Sequence, residues 1–161
     1  MTTSIRPARP EDADAILGLL DGLNTHVGAE RGKMSRRTLL EDAFGDAPKV
    51  RFLVADRDGT VAGYAAWCEA YETEHAMAGL YMIDLFVAPE HRGAGLARRL
   101  VGALSAEARR AGRGFLWWAA APGNEAAAGF YKSLGGHSEP MIAHALFGPP
   151  FDDLADEAES G

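Results

Sequence analysis

A chain of 161 residues with 47% hydrophobic side chains can bury the core of one ordinary domain and is too apolar to be disordered. Its single cysteine, Cys68, excludes an internal disulfide framework and a zinc site built from cysteines. The net charge of -7 argues against a nucleic-acid partner. Asp152, Asp153, Asp156, Glu157 and Glu159 supply most of it, so the body is nearly neutral and residues 149–161 read as a solvated, mobile acidic end.

No apolar run reaches the roughly 18 residues that span a bilayer, and Met1 to Arg6 lack the apolar stretch of a secretory signal. A cytoplasmic protein without a membrane partner is expected.

One domain is expected over residues 1–148. It opens on a short strand, Ile5 to Ala8. Pro10-Glu11-Asp12 then starts a helix, because proline fits a first turn and the acids suit its positive end. Ala13, Ile16, Leu17, Leu20 and Leu23 follow at helical spacing. Arg9 at the cap position makes that start a weak one. A second helix begins at Ser35 and carries Leu39, Leu40 and Phe44. Strands follow at Val50 to Asp56 and Thr60 to Cys68, and the Asp58-Gly59 pair between them is a hairpin signal. A long strand, Leu80 to Val87, stops at Ala88-Pro89. After a glycine-rich turn, Leu96, Leu100, Val101, Leu104 and Ala108 stripe one face of a helix that ends at Gly112. Phe115 to Ala120 reads as a buried strand, Asn124 to Leu134 as a helix and Met141 to Phe147 as a last strand. The expected order is βααβββαβαβ, an α/β domain whose mixed, mostly antiparallel sheet of six to seven strands is flanked by about four helices.

The chemistry lies in Leu85-Phe86-Val87-Ala88-Pro89-Glu90-His91-Arg92-Gly93-Ala94-Gly95-Leu96-Ala97-Arg98, a strand, a two-glycine turn and the mouth of a helix. The first N–H groups of a helix have no intrahelical acceptor and lie at its positive end. Small residues at Gly93, Ala94, Gly95 and Ala97 let an anion reach that backbone, so the turn suits a cradle for pyrophosphate, with a plain strand–turn–helix whose glycines serve tight geometry as the alternative. Arg92 adds positive charge at its lip. It is not a Walker loop, which would close on Gly-Lys-Ser or Gly-Lys-Thr. A dinucleotide fingerprint would need glycine where Arg98 stands.

Arg92-x-x-Gly95-x-Ala97 resembles the acetyl-coenzyme A signature of the GNAT superfamily. Asn124-Glu125-Ala126-Ala127-Ala128-Gly129-Phe130-Tyr131-Lys132-Ser133-Leu134-Gly135 is similar to its second hallmark, N-x-x-A-x-x-F-Y-x-x-x-G. The likeness spans the chain short of the acidic end. It implies that the turn from Arg92 to Arg98 binds pyrophosphate and that Leu85, Phe86 and Val87 pair with the pantetheine arm, beside a bulge that opens the slot. It further implies that Asn124 hydrogen-bonds the pantetheine and that Tyr131 is the general acid.

A phenol suits that task, because a thiolate leaving a thioester must be protonated. A general base is also needed, since amines are mostly protonated at neutral pH. Asp84, set in the apolar strand Tyr81 to Val87, is the candidate base, with a structural acid as the equal alternative. Period-two alternation places it on the face of Met82 and Phe86. Leu80-Tyr81-Met82-Ile83-Asp84-Leu85-Phe86-Val87 also resembles the diamine and thialysine acetyltransferase branch, with Ile83 where that branch has an acid. Glu69, Glu72 and Glu74 are either a cation-holding cluster or a solvated loop, the second more often.

The resemblance implies acetyl-coenzyme A as co-substrate, a primary amine of a small molecule as acceptor, direct transfer in a ternary complex, and a homodimer. No metal is expected, since His26, His137 and His144 lack ligand spacing. Two alternatives stay open: acetylation of a protein N-terminus or lysine, and a non-catalytic acyl-coenzyme A-binding module that regulates a partner.

Overall fold

Asp58-Gly59 turns the chain back between two long strands, and the sheet grows outward from that hairpin. The computed structural model describes residues 2–160, which fall into two compact units, Met1–Pro122 and Gly123–Gly161. The first unit holds β1 (Thr3–Pro7), α1 (Ala13–Val27), α2 (Arg36–Phe44), β2 (Arg51–Arg57), β3 (Thr60–Glu72), β4 (Met77–Val87), α3 (Leu96–Arg110) and β5 (Leu116–Trp117). The second holds α4 (Glu125–Ser133) and α5 (Pro149–Glu159).

The sheet has five strands in the order β1-β2-β3-β4-β5, antiparallel throughout except for the parallel β4–β5 pair. Period-two alternation gives it two apolar faces. On one, Phe52, Val54, Tyr64, Ala66 and Phe86 form a single cluster with Ile16 and Leu19 of α1 and Leu39 of α2. The other is covered by α3, whose buried stripe is Leu96, Leu100, Val101, Leu104 and Ala108, as its spacing predicts. The Arg99 guanidinium ties α3 to β1 by donating to the Thr3 carbonyl at 2.7 Å.

The entry to α1 is stronger than Arg9 alone suggests. A short 3-10 turn, Pro10–Asp12, precedes the helix, and Asp12 Oδ2 accepts the Arg9 N–H at 2.8 Å. The same buried carboxylate takes the Arg6 guanidinium at 2.7 and 2.9 Å, and Arg6 reaches on to Asp56 on β2 at 3.0 Å. Charge-assisted bonds of this kind make up for the missing side-chain cap. Ser35 caps α2 as its position predicts, its Oγ accepting the Thr38 N–H at 3.0 Å.

Three sequence expectations are corrected. The sheet has five strands rather than six to seven: Phe115 to Ala120 contributes only Leu116–Trp117, and residues 141–147 form no strand. An apolar run becomes a strand only by ladder pairing, and no ladder partner is present for it among the described residues. The order therefore closes on a helix, and the helices number five rather than about four. The acidic end is the fifth: Pro149 and Pro150 fit its first turn, and Phe151, Leu154, Ala155 and Ala158 repeat at helical spacing, although the helix stays exposed along its length. No helix among the described residues is long and apolar enough to cross a membrane.

Candidate active site

The strand that runs into the glycine turn is irregular at one place. Ala66 pairs with Asp84 while the next residue, Trp67, pairs with Met82, so Ile83 is an extra residue in β4. A bulge of this kind bends its strand and reverses the phase of alternation across it. Asp84 consequently shares the face of Ala66, Tyr64 and Phe86, whereas Met82 shares the opposite face with Trp67. The expectation that Asp84 and Met82 face the same way is corrected by this one residue.

Beyond the bulge, one edge of β4 is open. β5 pairs with β4 only at Leu80 and Tyr81, where Tyr81 and Trp117 stack with ring centroids 4.9 Å apart. Among the described residues, no strand lies against that edge from Ile83 to Val87. On its other edge β4 is held close to β3: a Cβ on Gly63 would come within 2.7 Å of the Phe86 carbonyl oxygen. The main chain of Leu85, Phe86 and Val87 is thus fixed from β3 and pairs with no strand on its outer edge among the described residues, while Arg92 takes the Val87 carbonyl.

The edge leads into the turn. Gly93 and Gly95 have φ of 79° and 71°, a conformation that costs a side chain about 1–2 kcal/mol, and Gly95 stands directly before α3. Nothing lies within 4 Å of where a Cβ on either glycine would be, so their outer side faces open space. Arg99 is the residue whose N–H first bonds back, to the Gly95 carbonyl at 3.1 Å. The amides of Leu96 and Ala97 precede it, at the positive mouth of the helix. Arg92 folds back rather than outward: its Nε donates to the Val87 carbonyl at 3.0 Å and its guanidinium lies 5.6 Å from the Phe86 ring centroid. It therefore clamps the turn to the end of β4. Arg98 continues α3 on its exposed face.

Asp84 is half-buried, and loss of water pushes its pKa above the ordinary carboxylate value. The Tyr64 hydroxyl donates to its Oδ2 at 3.4 Å and works against that rise. Tyr64 itself is fully buried, tilted against Phe52 and Phe86 at 5.8 and 6.5 Å, and its phenol is pushed up by burial and by the Asp84 charge. Tyr64 joins the candidates only through this contact. The available signal was a tyrosine among small residues, Gly63-Tyr64-Ala65-Ala66, whose hydroxyl needs a partner if the ring is buried.

In the second unit, Asn124 is the N-cap of α4, its Oδ1 accepting the Ala127 N–H at 3.1 Å. The cap uses its carbonyl oxygen, so its amide NH2 remains the donor. Tyr131 follows on the same helical face about two turns on. It is half-buried against Phe130 at 5.3 Å, and burial pushes its phenol above the ordinary tyrosine value.

Two of the three acids before β4, Glu69 and Glu72, have structural employment. Glu69 takes the Arg113 guanidinium at 2.7 Å. Glu72 caps its own turn, accepting from the Glu74 and His75 N–H groups at 2.6 and 2.8 Å and facing the His75 ring at 2.6 Å. Glu72, Glu74 and His75 do approach to within 4.8 Å of one another, but the Glu72 carboxylate is already occupied.

Comparison with known proteins agrees with this geometry. Residues 21–135 match the acetyltransferase (GNAT) family. The chain is 29% identical over 140 residues to a thialysine N-epsilon-acetyltransferase of Bos taurus, covering 81% of this chain and 82% of that one. It is 29% identical over 157 residues to a streptothricin acetyltransferase of Streptomyces lavendulae, covering 83% and 81%. Among solved structures, an integron cassette protein from the mobile metagenome of V. cholerae superposes with a TM-score of 0.79 at 23% identity, covering 96% of this chain and 98% of that one. The family match across residues 21–135, together with relatives named as acetyltransferases, identifies the chain as an N-acetyltransferase belonging to the acetyltransferase (GNAT) family.

Proposed function

We propose that the protein transfers the acetyl group of acetyl-coenzyme A to a primary amine of a small molecule, directly and within a ternary complex. The observation that carries this reading is the open edge of β4 between the bulge at Ile83 and the Gly93–Gly95 turn. The residues fit the co-substrate. An amide-rich arm can add to the Leu85–Val87 edge as an extra strand does. A diphosphate suits the exposed amides from Gly93 to Ala97, which Arg92 and Arg98 border with positive charge. Bulky side chains at Gly93 or Gly95 would fill the space such an anion needs.

Acetyl-coenzyme A supplies a thioester whose carbonyl carbon takes the amine nitrogen. The residues then divide the proton work. Asp84, with its raised basicity, accepts a proton from the incoming ammonium, directly or through water. Tyr131, kept protonated by burial, donates its hydroxyl proton to the departing sulfur. The amide of Asn124 holds the pantetheine. A small amine as acceptor is supported by two relatives named for thialysine and streptothricin acetylation. We also assign the protein to the cytoplasm and to a homodimer, in keeping with the family resemblance and the absence of a spanning helix among the described residues.

The test is thiol release from acetyl-coenzyme A with a panel of diamines, lysine analogues, aminoglycosides and peptides. Release that depends on a small amine is expected. Turnover on peptides alone would replace the acceptor class, and binding without release on any amine would favour a regulatory module.

A further inference from the structure

The proton acceptor has a support that the catalytic scheme does not use. We propose that Tyr64 is a positioning residue for Asp84: its buried hydroxyl donates to Oδ2 and so fixes how the carboxylate sits beside the open edge of β4. The inference rests on the reading of Asp84 as the general base.

The geometry begins with the bulge. Because Ile83 is the extra residue, Asp84 comes onto the face of Tyr64, diagonal to it across the β3–β4 ladder, since Tyr64 pairs with Phe86. Diagonal neighbours in an antiparallel pair are within reach of an aromatic side chain. Tyr64 has no freedom to turn elsewhere. It is 0% exposed, with Phe52 and Phe86 against its ring. A hydroxyl buried this deeply needs an acceptor, and the acceptor it has is Asp84 Oδ2 at 3.4 Å.

Among the described residues, the charged groups of the neighbouring elements have partners of their own: Arg92 lies over Phe86 and donates to the Val87 carbonyl, and on α2 Arg37 pairs with Glu41 and Asp42 with Lys49. α1 packs on the same face, but its titratable groups are engaged elsewhere: Asp14 pairs with Arg36, Asp21 holds the Gly32 N–H and Arg31, and His26 is exposed. On β3, Glu69 is taken by Arg113 and Glu72 by the turn at His75. Tyr81 of β4 stacks on Trp117, and α3 lies on the opposite face. Burial raises the Asp84 pKa and the Tyr64 hydroxyl restrains that rise, so Tyr64 widens the pH range in which the carboxylate is ionised and able to accept a proton.

The experiment compares kcat/KM against pH for the wild type, Tyr64→Phe and Asp84→Asn, alongside carbon-13 NMR titration of the Asp84 carboxylate. Tyr64→Phe keeps the ring and removes only the hydroxyl. It is expected to move the Asp84 inflection to higher pH in both measurements, with a several-fold loss of kcat/KM concentrated on the acidic side. An unmoved inflection in Tyr64→Phe, with the inflection lost in Asp84→Asn, would overturn the positioning role and leave the base in place. An inflection that survives in Asp84→Asn would remove the base and this inference together. If Tyr64→Phe does not fold, the Tyr64 hydroxyl proton of the wild type decides. It should shift with the midpoint of the Asp84 carboxylate, and independence of the two would overturn the proposal.

Discussion

Asp84 couples the proposed chemistry to the stability of the fold. Its pKa is raised in the folded state because burial penalises the charge. The folded protein therefore binds that proton more tightly than the unfolded chain. The contribution to stability is full below the ordinary carboxylate pKa and is lost as pH rises through the folded value. Asp84→Asn should accordingly melt higher than the wild type at pH 8, measured by calorimetry, while losing about 100-fold in kcat/KM. On the acidic side, the wild-type profile should steepen below the Asp84 pKa, on top of the slope from the titrating amine. The Asn variant should lack the extra steepening, and an identical slope would retire the base. Tyr131→Phe tests the other proton. Thiol-release assays should show kcat down by about 100-fold or more, with little change in the KM for acetyl-coenzyme A. Full turnover would remove the acid assignment.

At the scale of elements, the strand edge and the anion cradle are one continuous piece of chain: β4, its bulge, the glycine turn and the start of α3. Gly95→Ala addresses the turn. Its Cβ meets nothing within 4 Å, so only the left-handed backbone resists it, at about 1–2 kcal/mol of stability. A loss of acetyl-coenzyme A affinity of about tenfold or more, with the fold intact by circular dichroism, would mark the turn as the anion cradle. Unchanged affinity would make it a structural turn.

Much of this element was legible beforehand. The two glycines, the stop at Ala88-Pro89 and the stripe from Leu96 to Ala108 gave the strand, turn and helix. The bulge was not, because an extra residue in one strand is defined by its partner: only the pairing of Ala66 and Trp67 shows that Ile83 is surplus. Strict alternation then put Met82 on the face of Asp84 and Phe86, which Tyr64 and Ala66 share instead. Residues 141–147 failed in the opposite direction, since their apolar run promised a strand without specifying any edge to pair with.

Across the whole molecule, a second charge group bears on stability without belonging to the proposed proton transfers. The Arg6 bridge to Asp12 and Asp56 joins β1, the entry to α1 and β2 at the edge of the sheet that is remote in strand order from β4. Hydrogen bonding from Arg6 holds the Asp12 carboxyl below its ordinary pKa, against the opposing effect of burial. Its stabilisation is thus present above the unfolded-state value and is lost as pH falls through the folded one. Melting temperature should drop on acidification below about pH 4, and more shallowly in Asp12→Asn, which should already melt lower at pH 7. Equal acid sensitivity in both proteins would place the effect elsewhere. At this scale the acidic end is a helix, Pro149–Glu159, that is exposed along its length, so its charge run is solvated while its backbone is helical.

The central claim is that a bulged strand edge and a glycine turn grip acetyl-coenzyme A. Isothermal titration calorimetry of the full chain with acetyl-coenzyme A tests it most directly. Saturable heat at one site per chain, competed by coenzyme A, is expected. No heat with either molecule would contradict it.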